Sequence, residues 1–465
     1  MRYQRQAKRM SPNRGLIVLV AVSTLLLAGC AGRGEQNDEG PSTATGTGEF
    51  GDLGTVCGSG QHTKASAQGV TADSIEIGVF SDLGFTKNPE FIDAAKVFAG
   101  WCNDHGGIGG RTIDLAIHDT NLTEVRQRMI EACRDDFALV GGGAGLDALG
   151  VKDRLSCLLP SFPAQVAQAR SVGADLEISA SPTALPHHDS YTGFRRWLVT
   201  EAYPESLGKV GFISADSPVS KVLGEKGKES FRAQGATIVY DDLYPIAGVS
   251  NWAPFAQGIK EKGVRGLIFN GEPRQLSKLE EALTSIEYRL DWIDATNNNY
   301  SPAFLKEAAN SIGFQNNVAD LGGVVPFEKA DSVPAMKQVE SMFDKYAPGT
   351  EITFPQLRAI SAWLLFAKSA ASCGDDLTRR CVYDAASSER AWTAGGLQAP
   401  VNLSNRDAPS GCFNIEQATA DGWKPADFRP DTGLYRCDVA PYEYQGDYGA
   451  PMTLADVGKS MTDLR

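Results

Sequence analysis

Hydrophobic and polar positions divide the chain into three stretches. From Leu16 to Ala28, thirteen residues run without a charge. That is too short for a bilayer span, which takes about 20 apolar residues. Residues 31 to about 70 are rich in Gly, Ser, Thr and acids and poor in large apolar side chains. Such a composition cannot bury enough surface to order itself, so 30–70 is expected to be a flexible tether. From Ser74 a regular alternation begins. SIEIGVF (74–80) is β-rich, and EFIDAAKVFAGWCNDHGG (90–107) places Phe91, Ala94, Ala95, Phe98 and Trp101 at helical spacing before a glycine stop. Strand TIDLAIHD, helix EVRQRMIEACRDD, strand FALVGGG, helix LDALGVKDRL and strand LLPSFP follow. This βαβαβαβ order predicts a doubly wound α/β sheet with helices on both faces.

A second series repeats the alternation. Helix YTGFRRWLVTEAYP leads to strand KVGFISA, helix KVLGEKGKESFRAQG, strand TIVYDDLY, helix WAPFAQGIKEKG, strand GLIFNG, helix QLSKLEEALTSIE, strand LDWIDAT and helix PAFLKEAANSIG. DLGGVVPF (320–327) reads as one more strand, and two long helices follow, VPAMKQVESMFDKYA and FPQLRAISAWLLFAKSAAS. The last 80 or so residues are irregular, with a hairpin. About 370 residues past the tether are too many for one core, so two lobes are expected. The expected boundaries are 71–185 plus 328–398 for lobe 1 and 186–327 plus 399–440 for lobe 2, with 441–465 as a tail.

The chain ends change the picture. Arg2, Arg5, Lys8, Arg9 and Arg14 precede the apolar run with no acid among them, as in a secretory signal. The run closes on Leu27-Ala28-Gly29-Cys30, which resembles the bacterial lipobox. A signal peptide 1–29 and an acyl anchor on Cys30 are therefore expected, placing the protein on the outer face of the cytoplasmic membrane. Removing 1–29 leaves 39 bases against 57 acids, or −18. That charge excludes nucleic acid as a partner and favours solubility; a monomer is expected. Eight cysteines remain, an even number that suggests four disulfides in an exported protein. No C-x-x-C pair is present.

VTADSIEIGVFSDLG (70–84) and NDHGGIGGRTIDLAIHDT (103–120) resemble the opening of the type I periplasmic binding proteins, the leucine/isoleucine/valine-binding group of ABC-transporter substrate-binding lipoproteins. Asn103, Gly106, Gly107, Ile108, Gly110 and Arg111 form the N-x-x-G-G-I-x-G-R turn, and KGVRGLIFNGEP (262–273) and GGVVPF fall where the family has them. The resemblance spans about 70 to 400 and implies two Rossmann-like lobes joined by three crossovers, near 180–190, 322–330 and 395–405. It also implies a small polar solute, an amino acid or related amide or carboxylate, closure without covalent chemistry, and delivery to ABC permease subunits.

Ligands of open parallel sheets sit beyond the carboxyl ends of the strands. That rule selects Ser81, Asp82, Gly142, Gly143, Ala144, Ser161, Phe162 and Ala164 in lobe 1. In lobe 2 it selects Ser214, Asp216, Asn270, Glu272 and Asn297. GGGAG (141–145) is expected to cradle a carboxylate, since glycines allow close approach to backbone N–H groups. Asp82 and Glu272 are candidates for an amino group, and Phe162 for an apolar wall. The amino-acid grip of the family is incomplete: Gly and Ala replace a hydroxyl residue in GGGAG, SFPAQ keeps only Ser161, and SADSPVSK lacks the usual tyrosine. With the strand order 2-1-3-4-5, Cys57 and Cys102 precede neighbouring strands, as do Cys133 and Cys157. Those two pairs are expected, with Cys373–Cys381 closing a local loop and Cys412–Cys437 stapling the irregular end.

Other readings are weaker. Gly143-Ala144-Gly145-Leu146-Asp147-Ala148 fits the dinucleotide pattern G-x-G-x-x-A, but no acid ends the next strand to hold a ribose. An NAD-dependent enzyme is therefore a remote alternative, and no cofactor is expected. There is no G-x-S-x-G and no H-E-x-x-H, and His187-His188 reads as a linker rather than a metal site. The rival of substance is a ligand sensor of the same architecture acting on a receptor or kinase.

Overall fold

The computed structural model describes residues 48–61, 64–181, 184–296, 299–405 and 411–465. Cys30, the signal segment, the tether up to residue 47 and Asn297 lie outside the described residues.

Lobe 1 is built from β1 (Ser74–Ser81), α1 (Leu83–Thr86), α2 (Glu90–Asp104), β2 (Thr112–Asp119), α3 (Val125–Asp135), β3 (Ala138–Val140), α4 (Ala148–Ser156) and β4 (Ser161–Phe162). Its parallel sheet runs β2-β1-β3-β4. The fifth position is reduced to one parallel bridge, Glu177 beside Ser161. The chain then passes β5 (His188–Asp189) and α5 (Thr192–Arg196) into lobe 2.

Lobe 2 continues with β6 (Val210–Ala215), α6 (Pro218–Ala233), β7 (Ile238–Tyr244), α7 (Ala253–Glu261), β8 (Gly266–Asn270), α8 (Pro273–Ser285), β9 (Trp292–Asp294), α9 (Pro302–Glu307) and β10 (Asn317–Asp320). The chain returns through α10 (Pro334–Tyr346), α11 (Phe354–Cys373) and α12 (Arg379–Ser387). It ends with β11 (Ile415–Thr419), β12 (Gly422–Pro425) and β13 (Tyr442–Glu443). The lobe 2 sheet runs β12-β11-β10-β9-β8-β6-β7, the doubly wound order with an antiparallel hairpin added at one edge. β13 pairs with β5 beside the first crossover.

The alternation of periods explains these elements. β6 is buried along its whole length, as a parallel strand covered on both faces must be. α11 is apolar nearly all round because it is enclosed, packing on α2, β3 and β4. Trp363 of α11 stacks on Phe98 of α2 at 5.5 Å. Gly141, at φ +68°, has to be glycine, since a Cβ there would lie 2.3 Å from Trp363 Nε1.

The four expected disulfides are present: Cys57–Cys102, Cys133–Cys157, Cys373–Cys381 and Cys412–Cys437. Two expectations need correction. Residues 48–61 and 64–70 are not free tether. Phe50 is buried edge-on to Trp101 at 6.0 Å, Gln338 hydrogen-bonds Gly51 N–H and Glu49 O, and Cys57 is bonded into α2. A polar average over the segment hides the few residues that anchor it. DLGGVVPF is a crossover rather than a strand: β10 ends at Asp320, and Gly322 and Gly323 turn with φ +58° and +81°. The Cys373–Cys381 bridge closes its local loop after α11 as expected, and α12 begins inside that loop at Arg379, capped by Thr378.

Candidate functional site

The loops at the carboxyl ends of both sheets are the places where a doubly wound fold receives ligands. In lobe 1, Asp82 follows β1 and ties three loops together. Its Oδ1 accepts from Leu122 N–H (2.9 Å) and from the Thr120 hydroxyl, and its Oδ2 accepts from Gly145 N–H (2.6 Å). Its oxygens therefore already hold chain donors, and it positions the loops that line the site.

The GGGAG loop does not offer the expected row of free N–H donors. Gly143 N–H donates to Phe80 O (3.0 Å), Gly141 N–H to Phe162 O (2.8 Å) and Gly145 N–H to Asp82. What the loop exposes is its apolar face. Gly142, Gly143, Ala144 and Ser161 line a half-open pocket of about 60 Å3 between the sheet and α3/α4, with Asp147, Arg154 and Glu177 also in its walls. Phe162 is a core residue rather than an apolar wall: it is fully buried, edge-on to Phe366 of α11 at 5.6 Å. Its strand alternation turns it away from the pocket that Ser161 lines.

In lobe 2, Asn270 Nδ2 donates to Ser214 Oγ (3.1 Å) and locks the ends of two neighbouring strands. Asp216 is exposed and paired with Lys221. Glu272 caps α8, and its backbone N–H donates to Tyr244 Oη (3.3 Å). The Glu272 carboxyl is open to solvent yet crowded by protein, which raises its pKa above the ordinary carboxylate value.

A polar seam joins the lobes. Glu90 accepts from Thr353 Oγ1 (2.9 Å). Its carboxyl is held above the usual range by burial; Thr353, Asn88 and Arg358 pull the other way, and Glu272 across the seam pushes it further up. Arg358 of α11 is 4% exposed and lies over the Phe354 ring at 4.9 Å. Burial lowers its pKa against the pull of Tyr191 and Glu90. Deeper in, Asp294 and Asp320 end β9 and β10. Asp320 Oδ1 accepts from Gly322 N–H (2.8 Å), while burial, with Asp294 and Asp189 nearby, pushes its carboxyl up to about 8. Asp189 in turn pairs with Arg195 at 2.7 Å and accepts from the Ser230 hydroxyl.

Sequence reasoning missed Glu90, Tyr191, Arg358, Asp294 and Asp320. The two aspartates carried a usable signal, since each stands at a strand's carboxyl end. Arg358 carried none, because α11 reads as an apolar helix.

Two Rossmann-like lobes, three connections and strand ends meeting across a polar seam define a two-lobed solute clamp. The chain belongs to the periplasmic binding protein family, whose model matches residues 75–422. Among solved structures, it resembles a fatty acid ABC transporter substrate-binding protein from Thermomonospora curvata. That match has 16% identity, 82% of this chain and 95% of the other covered, and a TM-score of 0.63. A possible leucine/isoleucine/valine-binding protein from Rhodopirellula baltica matches at 14% identity, with 79% and 98% covered and a TM-score of 0.61. A leucine-binding protein from Thermotoga maritima matches at 11%, with 76% and 97% covered and a TM-score of 0.59. Identities this low establish likeness of fold alone. No curated protein matches the chain. Membership makes this a binding protein rather than an enzyme, of a family that works outside the cytoplasm. No described helix is long and apolar enough to cross a membrane.

Proposed function

We propose that the seam between the lobes takes a small polar solute, an amino acid or a related amide or carboxylate, and delivers it to an ABC permease. The observation that carries this reading is that Glu272 of lobe 2 lies near enough to Glu90 of lobe 1, itself a neighbour of the buried Arg358, to push the Glu90 carboxyl up. Acid and guanidinium from opposite lobes are the groups that would grip a zwitterion at both ends. A solute bridging both walls favours the closed arrangement by its differential affinity. In this reading Glu272 takes an ammonium or amide N–H, Gly142, Gly143, Ala144 and Ser161 border the remainder, and Asp82 holds the loops in place. Asp216 stands at the lobe 2 rim. Acyl chains on Cys30 keep the clamp beside its permease.

A thermal-shift screen of amino acids, amides, short peptides, carboxylates and polyols tests the reading, because a binder stabilises the native state by mass action. One class should raise Tm, and Glu272→Gln should weaken that shift. A screen in which no class moves Tm would end it. For the anchor, intact mass of the membrane-extracted protein should show an acylated Cys30, and Cys30→Ala should release the protein to the soluble fraction.

A further inference from the structure

We propose that the C-terminal segment 441–465 is a strap that ties lobe 2 to lobe 1 and limits how far the clamp opens. The segment lies beyond the stretch matched by the family's model, which ends at residue 422. It starts on lobe 2 and the first crossover. β13 pairs antiparallel with β5, Tyr442 beside Asp189 and Glu443 beside His188. Glu229 of α6 then accepts from Tyr442 Oη (2.9 Å), Gln445 N–H (2.6 Å), Gly446 N–H (3.1 Å) and the Tyr448 hydroxyl. Lys226, one turn earlier on α6, lies over the Tyr444 and Tyr448 rings at 4.9 and 5.6 Å. A carboxylate holding these donors is a firm anchor, since hydrogen bonds to an ionised acceptor are about twice as strong as neutral ones.

The segment ends on lobe 1. Met452 N–H donates to Arg170 O (2.9 Å), and Met452 O accepts from Asp175 N–H (3.0 Å). Leu454 N–H donates to Asp175 Oδ2 (2.7 Å). Arg380 of α12 donates from Nη1 to Met461 O (2.9 Å) and from its backbone N–H to Arg465 O (3.2 Å). Met452, Leu454 and Leu464 are buried, so releasing this end exposes apolar surface to water.

Little chain separates the two anchorages. Between Tyr448 and Met452 stand only Gly449, Ala450 and Pro451. Fully extended, that stretch spans about 14 Å at most, and Pro451 removes part of its freedom. Any wider separation of α6 from the 168–175 loop must peel one anchorage. The strap therefore biases the solute-free protein toward the closed arrangement, and a solute has less of that equilibrium left to shift. This goes beyond solute capture, because the strap sets the opening of the clamp whichever solute the seam takes.

Double electron–electron resonance on the solute-free mature protein tests this, with nitroxides on Lys152→Cys of α4 and Lys262→Cys just after α7, both exposed positions. The labelled parent should show one narrow distance. Inserting about eight Gly and Ser residues after Gly449 slackens the strap and keeps every anchor, so a longer and broader distribution should appear. The same insertion after Asp421, between β11 and β12, should leave the distances unchanged. A parent that is already broad, a Gly449 insertion that changes nothing, or an Asp421 insertion that lengthens the distance equally would overturn the strap. Should the Gly449 insertion not fold, Glu229→Gln is the second variant. It weakens the lobe 2 anchorage, so a longer distance is expected, and an unaltered one overturns the proposal. No solute enters these measurements, so the strap can fail while the clamp reading stands, and a silent solute screen leaves the strap untouched.

Discussion

The two lobes share a topology and differ in how they are filled. Lobe 2 is packed with rings: Trp292 stacks on Phe231 at 5.8 Å, Phe231 meets Phe212 at 5.9 Å, and Tyr244, Trp252 and Phe269 form a second group on the same sheet. Lobe 1 is packed as densely on its α2/α11 face, where Phe98, Trp363 and Phe366 meet. Its other face, under α3 and α4, has only the small cluster of Phe80, Met129, Ala132, Leu139 and Leu159, and the pocket lies there.

The largest test of that contrast is core truncation. Trp292→Ala removes a fully buried ring and the hydrogen bond from its Nε1 to Ser206 (2.8 Å), and should cost about 3–5 kcal/mol in urea unfolding. Met129→Ala, beside existing empty space, should cost only about 2 kcal/mol. Equal losses would mean that the two faces are packed alike. Next in size is removal of the Cys133–Cys157 bridge, which joins α3 to α4 across 24 residues. Replacing both cysteines with alanine should cost roughly 3 kcal/mol. Loss of the Cys373–Cys381 bridge, across 8 residues, should cost less.

A smaller and pH-dependent effect is expected where the lobes meet. Asp320 has a folded pKa of about 8 because of burial, against an unfolded value of about 3.9. The folded state therefore binds the proton more tightly. Stability is fully present below the unfolded pKa and is lost as pH rises toward the folded one. Asp320→Asn should leave Tm unchanged near pH 4 and raise it at pH 8. A gain independent of pH would show that the carboxyl is not the cause. The smallest stability effect is expected for Glu272→Gln, within about 0.5 kcal/mol, since the side chain is exposed. Its effect should appear in solute affinity instead.

Much of this molecule was legible from spacing. Strands β1, β2, β6, β7 and β8 and helices α2, α3, α10 and α11 fall where periodicity placed them, because a strand or helix buries its apolar face with a period fixed by the backbone. The disulfides followed from strand order, since residues preceding neighbouring strands lie on one edge. Candidate loops followed from the carboxyl-end rule. What each loop residue does was not legible. Asp82 reads as a ligand acid, yet its oxygens are taken by Leu122 and Gly145, 40 and 63 residues away. Gly143 reads as an anion donor, yet its N–H is given to Phe80.

The sequence by itself determined the order of elements, the doubly wound class and the cysteine pairs. These depend on neighbours along the chain or on simple topology. Only the tertiary structure decided that Arg358 lies near Glu90, that Phe162 is core, and that a pocket opens beneath Gly142–Ala144. Hydrogen-bond partners and empty volume are set by distant segments brought together, and no local pattern encodes them.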